Sequence, residues 1–414
     1  MQRFRCCVTC ARAMSDVYSR IPSRMTKTPV AQATSRLASP RPCAVLTSQP
    51  DLKTSLTLHS ARRGSLSNLY VYVFNLAASL TPHFQSAFLP SAEPLHTLSS
   101  YLDATRSSLP DVPFPGHARA TDLVWVDAGR PAPPGLSPGD VAALRELWSD
   151  LHRICTRAKE RRVRIIIDAE YSWWQPAIDA YTVGLSRTFN HDEPLIYGTY
   201  QAYLRRTPAQ IAHALKDAKK EGYSLGVKLV RGAYHPHEIA RHAKLLDTSD
   251  PHPTAPQNIS VAPALDNPPP VWERIEHTDA TYAACTGMLL DAVVTDITRA
   301  ESRDWCSWRT GPPAMRIGLL FGTHNPRSAA GVVHGLVARG LATTPPPPEV
   351  DRLLPHPNPP PPSLNEVPVV EISAEVADRV AIGQLYGMCD WLTDTLAERV
   401  KAPSPFVLKV SCGT

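Results

Sequence analysis

No apolar run in this 414-residue chain is long enough to span a bilayer, so any membrane contact is expected to be peripheral. No GxGxxG, GxxxxGKS or GxxxxGKT word follows a strand-like run, which counts against a Rossmann crevice or a P-loop. No HExxH spacing occurs, and no metal site is expected. Charge of one sign is also scarce: Lys plus Arg number 43 against 38 for Asp plus Glu, so nothing in the total calls for nucleic acid. The nine cysteines (Cys6, Cys7, Cys10, Cys43, Cys155, Cys285, Cys306, Cys389 and Cys412) are odd in number and scattered, which argues for reduced thiols. Cys7 and Cys10 form a CxxC, but no second pair sits at finger spacing.

Acids are nearly missing from the first fifty residues, where Asp16 alone faces Arg3, Arg5, Arg12, Arg20, Arg24, Lys27, Arg36 and Arg41 among many Ser and Thr. That composition suits a mitochondrial transit segment over residues 1–50, with a basic tail as the plainer alternative. Residues 51–119 give no assignable domain, although "NLYVYVFNLAASL" (68–80) could be a strand or a buried helix.

Proline is abundant instead, at 42 residues, about twice the ordinary share of roughly 5%. Its excess falls in 250–270 and 343–362, which read as loop insertions because proline removes the donors that helices and central strands need. Between them, from residue 120 to 414, strand-like and helical runs alternate. Strands are expected at 121–128, 163–170, 194–204, around "LGVKLVRGAY", at 316–325, 380–387 and 405–410. One helix should open at Ser137 and Pro138 and bury Val141, Leu144, Leu147, Trp148, Leu151 and Ile154. Another should open with a capping box at Thr207, Pro208 and Gln210 and stop at Gly222. Such alternation implies an α/β fold, either a doubly wound parallel sheet or a (β/α)8 TIM-like barrel. Polar residues gather at the strand ends, where a barrel assembles its site, and this favours the barrel.

In "GVKLVRGAY" (226–234), period two sends Lys228 and Gly232 to one face and Arg231 to the other. A lumen-facing lysine needs an anionic or electron-rich partner. A ligand, a Schiff-base role or an ion pair with Asp168 would each supply one. Asp168 and Glu170 would share a strand face, as a metal pair, a general acid and base, a counter-charge to a cationic substrate, or a salt-bridged carboxylate. His324 could ligate a metal, act as a base, hydrogen-bond a ligand amide, or simply be a satisfied donor.

The words themselves say more. "DAE" (168–170) with "QP" (175–176), "TYQAYL" (199–204), "KLVRGAY" (228–234), Thr278, Asp279 and Tyr282, "THN" (323–325) and "GQLYGM" (383–388) resemble, in order, the motifs of the flavin-dependent proline dehydrogenases, in particular the mitochondrial fungal type. The resemblance covers roughly residues 140–409. It implies a modified barrel binding FAD at the strand carboxyl ends, oxidation of L-proline to Δ1-pyrroline-5-carboxylate, and electron transfer to quinone at the matrix side of the inner membrane. It places Lys228 beside the flavin ring, with Gln201, Gly232, Thr323, His324 and Asn325 holding the cofactor. Asp168 would face the substrate amine, and Tyr234 and Leu385 would shape its pocket. Arg231 and the Asp279 and Tyr282 pair receive no role.

Two departures stand out. After "PFVLK" the family continues into a last helix whose paired arginines clamp the proline carboxylate, whereas here the sequence reads "VSCGT". The family's first-strand lysine is also missing, since no lysine lies between Lys53 and Lys159. The expectation is therefore an incomplete barrel lacking its final helix, with a flavin-binding relative impaired at the substrate clamp as the alternative to an active enzyme.

Overall fold

The computed structural model describes residues 70–73, 93–106, 116–126, 130–246, 268–304, 316–345 and 367–410. All lie in one compact unit, Cys43–Thr414. The expected transit segment over residues 1–50, the CxxC, most of both proline-rich insertions and the terminal residues 411–414 lie outside the described residues.

Seven parallel strands form the main sheet. They are β1 (Tyr70–Val73), β2 (Arg164–Ile167), β3 (Ile196–Gln201), β4 (Leu225–Val230), β5 (Ile317–Gly322), β8 (Val380–Leu385) and β10 (Val407–Val410). Each lies beside the next of the seven in chain order, and every neighbouring pair is parallel. A doubly wound sheet reverses its order at a switch point; an unreversed order is the winding of a barrel. Ile166, Tyr197, Leu320 and Ala381, with Leu408 against them, form one apolar cluster drawn from β2, β3, β5, β8 and β10. Strands so far apart in the order can share a cluster only if the sheet curls around it. Tyr197 fills much of this space. A Cβ on Gly226 would stand 2.8 Å from its ring, and one on Gly318 would collide with its hydroxyl, so glycine at both positions makes room for it. The sheet is an incomplete barrel: among the described residues β1 and β10 are not paired with each other.

Helices cover the outer face. They are α1 (Glu93–Arg106), α2 (Pro138–Arg161), α3 (Gln175–Phe189), α4 (Thr207–Glu221), α5 (His235–Leu246), α6 (Ile275–Asp304), α7 (Pro326–Ala338), α8 (Ala374–Arg379) and α9 (Asp390–Arg399). Helix α2 starts where its signals place it, with a capping box between Ser137 and Asp140. Leu144, Leu147, Leu151 and Cys155 are buried on it, while Val141, Trp148 and Ile154 pack partly buried against the same cluster. A small sheet of β6 (Ala342–Thr343), β7 (Val370–Ile372) and β9 (Val400–Lys401) lies outside the barrel. At the amino ends of the strands, Asp378 bridges Arg164 (2.9 Å) and Arg316 (3.4 Å), and Arg379 pairs with Asp296 and Glu375.

Two local expectations fail. The run 121–128 forms no strand over its described residues; Val124–Val126 is a 3-10 turn. Leu123, Trp125 and Val126 bury themselves among the outer helices, and Trp125 Nε1 donates back to the Asp122 carbonyl at 2.9 Å. The slot beside β2 belongs to Tyr70–Val73, so the first strand is the hydrophobic run read as strand or buried helix. Helix α4 has no capping box: Arg206 holds the cap position, Thr207 Oγ1 donates to the Gln201 carbonyl at 2.5 Å, and Gln210 reaches Asp179 at 3.1 Å. Buried partners claim both polar side chains. The helix does end at Gly222, whose φ of 76° is the left-handed cap that glycine adopts freely.

Candidate active site

Strands β2 and β4 end at Ile167 and Val230, so the residues that follow them are loops at the carboxyl rim. Lys228, still within β4, sits on the inner face, in register with Thr199 of β3 and Leu320 of β5. Its ammonium donates to Asp168 Oδ1 at 2.5 Å, with the side chains 13% and 31% exposed. The interior cation thus finds an anion across the rim, the ion-pair alternative of the sequence reading. Thr199 Oγ1 donates to the Ile167 carbonyl at 2.8 Å and stands 3.4 Å from Asp168 Oδ1.

Asp168 and Glu170 do not act on one strand face, because the extended strand has ended before them. Glu170 is buried; its Oε1 accepts from the Tyr234 hydroxyl at 2.9 Å. Its carbonyl accepts from Gln201 Nε2 at 2.8 Å, and its N–H donates to Gln175 Oε1 at 2.8 Å. Gln175 and Pro176, the "QP" of the sequence, start α3. Gln175 Nε2 in turn donates to Asp179, which also accepts from Arg206 at 2.8 Å. A cavity of about 40 Å³ next to this network lies between β3 and helices α3 and α4, on the side away from Lys228.

The loops after β2 and β4 are joined by further bonds. Ser172 donates from its N–H and its hydroxyl to Glu238, at 2.7 and 2.6 Å, and the Tyr171 and Tyr234 rings lie 4.3 Å apart. Burial raises the Glu238 carboxyl above its ordinary range, against the lowering effect of its bonds from Ser172. Glu238, Ser172, Tyr171 and Tyr203 were not singled out in the sequence. An acid in the first turn of a helix is ordinary, and its burial against a distant loop leaves no local signal.

Gly232 has φ 123°, a region that side chains disfavour, and a Cβ there would stand 2.5 Å from the Tyr203 ring. Its glycine is explained by the protein's own packing. Thr323, His324 and Asn325 form the three-residue link from β5 to α7. Asn325 caps α7 by accepting from Ser328 N–H at 3.1 Å, and His324 Nε2 accepts from the Leu385 N–H at 2.8 Å. That bond places the imidazole proton on Nδ1, and burial lowers the pKa of the ring, favouring this neutral form. Leu385 ends β8 beside it. The structure therefore brings Asp168, Lys228, Gln201, Gly232, Tyr234, Thr323, His324, Asn325 and Leu385 to one end of one sheet. Among the described residues no group of three or more His, Cys, Asp or Glu could hold a metal, and no helix is long and apolar enough to cross a membrane.

An unreversed parallel barrel with a polar carboxyl rim is the architecture of many enzymes, and comparison narrows the class. Residues 89–258 match the family described as proline dehydrogenase. The chain is 26% identical over 263 residues to the mitochondrial proline dehydrogenase 1 of Drosophila melanogaster, covering 64% of this chain and 29% of the fly protein. It is 41% identical over 92 residues to its Homo sapiens counterpart, covering 22% and 15%. Among solved structures, proline utilization A of Bdellovibrio bacteriovorus aligns with a TM-score of 0.40 at 17% identity, covering 76% of this chain and 27% of that one. Over residues 89–258 the chain is thus similar to the proline dehydrogenase family. It spans less than a third of the length of these relatives.

Proposed function

We propose that this chain carries the L-proline-oxidising site of a mitochondrial, FAD-dependent proline dehydrogenase, yielding Δ1-pyrroline-5-carboxylate and passing electrons to a quinone from a peripheral position on the matrix side of the inner membrane. The observation that carries the reading is the Lys228–Asp168 pair at the rim, within hydrogen-bonding distance in a chain whose motif words converge on that rim. The donor set fits a flavin dinucleotide: a cation on the inner face, an anchored amide at Gln201, and a hydroxyl, imidazole and capping amide at the start of α7. Bound there, FAD would accept the hydride equivalent that leaves the substrate ring.

The protein's own part is binding and orientation, since hydride transfer needs little acid–base machinery but strict alignment and exclusion of water. Asp168 supplies the anion for the substrate ammonium, and Lys228 holds that anion in place while offering positive charge to an electron-rich ring. Tyr234, fixed by Glu170, and Leu385, fixed through His324, wall the small pocket. Gln201, Thr323, His324 and Asn325 hold the cofactor. The names of the relatives support proline as substrate and the mitochondrion as location.

The test is product trapping. Purified chain with FAD, L-proline and a soluble quinone analogue should form the o-aminobenzaldehyde adduct of pyrroline-5-carboxylate. No adduct from folded, flavin-loaded protein would refute the activity.

A further inference from the structure

Two features have no place in the proposed reaction: Arg231 of the "KLVRGAY" word, and Asp279 with Tyr282 on α6. The structure joins them. Arg231 Nε and Nη2 both donate to Asp279 Oδ1, at 2.9 and 2.7 Å, and the guanidinium lies over the Tyr282 ring, 4.9 Å from its centroid. Three residues apart on a helix, Asp279 and Tyr282 lie on the same face, so carboxylate and ring receive the fork together.

The rest of the fork points to the loop between β5 and α7. Nη2 donates to Ser328 Oγ at 2.7 Å, and Nη1 reaches Thr323 Oγ1 at 3.4 Å. One guanidinium thus grips the first residue of the three-residue loop and a residue in the first turn of the helix after it. Thr323 is held from other sides as well. Its hydroxyl accepts from Asn325 N–H at 3.1 Å, and its carbonyl accepts from Gln384 Nε2 at 3.2 Å. Gln384 Oε1 is fixed by Thr393 Oγ1 at 2.5 Å. Between these anchors stands His324, bonded to Leu385 of the neighbouring strand.

We propose that Arg231, seated by Asp279 and Tyr282, is a positioning residue that sets the Thr323–His324–Asn325 loop and the orientation of His324. A stability role explains the geometry less well, because Asp279 is 46% exposed and so open an ion pair adds little to folding. Planarity explains the residue type: three different acceptors are reached from one rigid fork, which a lysine ammonium cannot match. What the loop holds rests on the flavin reading; that Arg231 orients it does not.

The experiment is ¹H–¹⁵N imidazole spectroscopy of the full chain without flavin, with His324 assigned by its loss in His324→Gln, on Arg231→Lys, Arg231→Met and Asp279→Asn. The wild-type His324 should show the Nδ1–H tautomer with Nε2 accepting. In Arg231→Lys and Arg231→Met this signature should collapse toward an averaged tautomer while the melting temperature falls only a few degrees, and Asp279→Asn should show a smaller change of the same kind. FAD dissociation constants should rise about tenfold in parallel. A His324 signature unchanged in folded Arg231→Lys overturns the proposal. If Arg231→Met does not fold, Arg231→Lys and Asp279→Asn decide. If wild-type chain binds no FAD, the flavin reading falls, while the His324 spectra still judge Arg231.

Discussion

Replacing Lys228 with methionine keeps the stem and deletes the ammonium, so Asp168 loses the partner it holds at 2.5 Å. Exposed pairs contribute about 0–1 kcal/mol, while breaking a fully buried pair costs about 3–5 kcal/mol. With side chains 13% and 31% exposed, this pair lies between those limits, and Lys228→Met should cost about 1–2 kcal/mol. For a fold of this size that is roughly 2–8 °C in melting temperature. Asp168→Asn should cost a similar amount. Because either change removes the same bond, the double variant should cost no more than about the larger single one. The assay is a double-mutant cycle by urea unfolding of flavin-free protein. Costs that add to within about 0.5 kcal/mol would show that the two side chains do not interact, and the account of the rim would fail.

Asp168→Asn should slow proline-dependent flavin reduction about 10- to 100-fold, the worth of one charge-assisted hydrogen bond, while FAD affinity moves less than about threefold; stopped-flow absorbance with a parallel flavin titration separates the two. Gly232→Ala should destabilise the fold by about 2–4 kcal/mol in urea, since its Cβ would stand 2.5 Å from the Tyr203 ring at φ 123°. Shrinking Tyr203 to alanine should relieve the overlap but not the backbone cost. Asp103, raised by burial to about 6 against the lowering effect of Arg206 and Arg106, binds a proton in the folded state that the unfolded chain releases near 3.8. Its ionised form therefore opposes folding above about pH 6, and this penalty fades as pH falls toward 4. Asp103→Asn should stabilise the protein at pH 7 by about 1–3 kcal/mol and hardly at pH 4, as read from urea midpoints. His117 acts in the opposite sense. Burial lowers it to about 4, so its contribution is present above pH 6.5 and is lost as pH falls toward 4. His117→Asn should flatten the acid side of the stability profile.

The parts of the fold legible in the sequence were those with local causes. Helix α2 follows from Ser137, Pro138 and a spaced apolar face, and the stop at Gly222 follows from the left-handed cap. The central strands follow from apolar runs buried on both faces, and the site words fall at their carboxyl ends. The failures had causes remote in sequence. Residues 121–126 have the composition of a strand, but their side chains bury among α2 and α3, and Tyr70–Val73 competes for the place beside β2. Thr207 and Gln210 have the spacing of a capping box, yet the Gln201 carbonyl and the Asp179 carboxylate take their polar groups. Alternation placed Arg231 away from Lys228, but its acceptors, Asp279 and Ser328, lie 48 and 97 residues away. Gly232 was expected at the cofactor, and in the fold the group that approaches its backbone is the Tyr203 ring.

The most direct test of the central claim is an anaerobic visible spectrum of purified chain supplemented with FAD, before and after L-proline. Bleaching of the oxidised-flavin band, about 10- to 100-fold slower in Asp168→Asn, is the expected result. A bound flavin that dithionite reduces and proline does not would contradict the assignment of this rim as a proline-oxidising site.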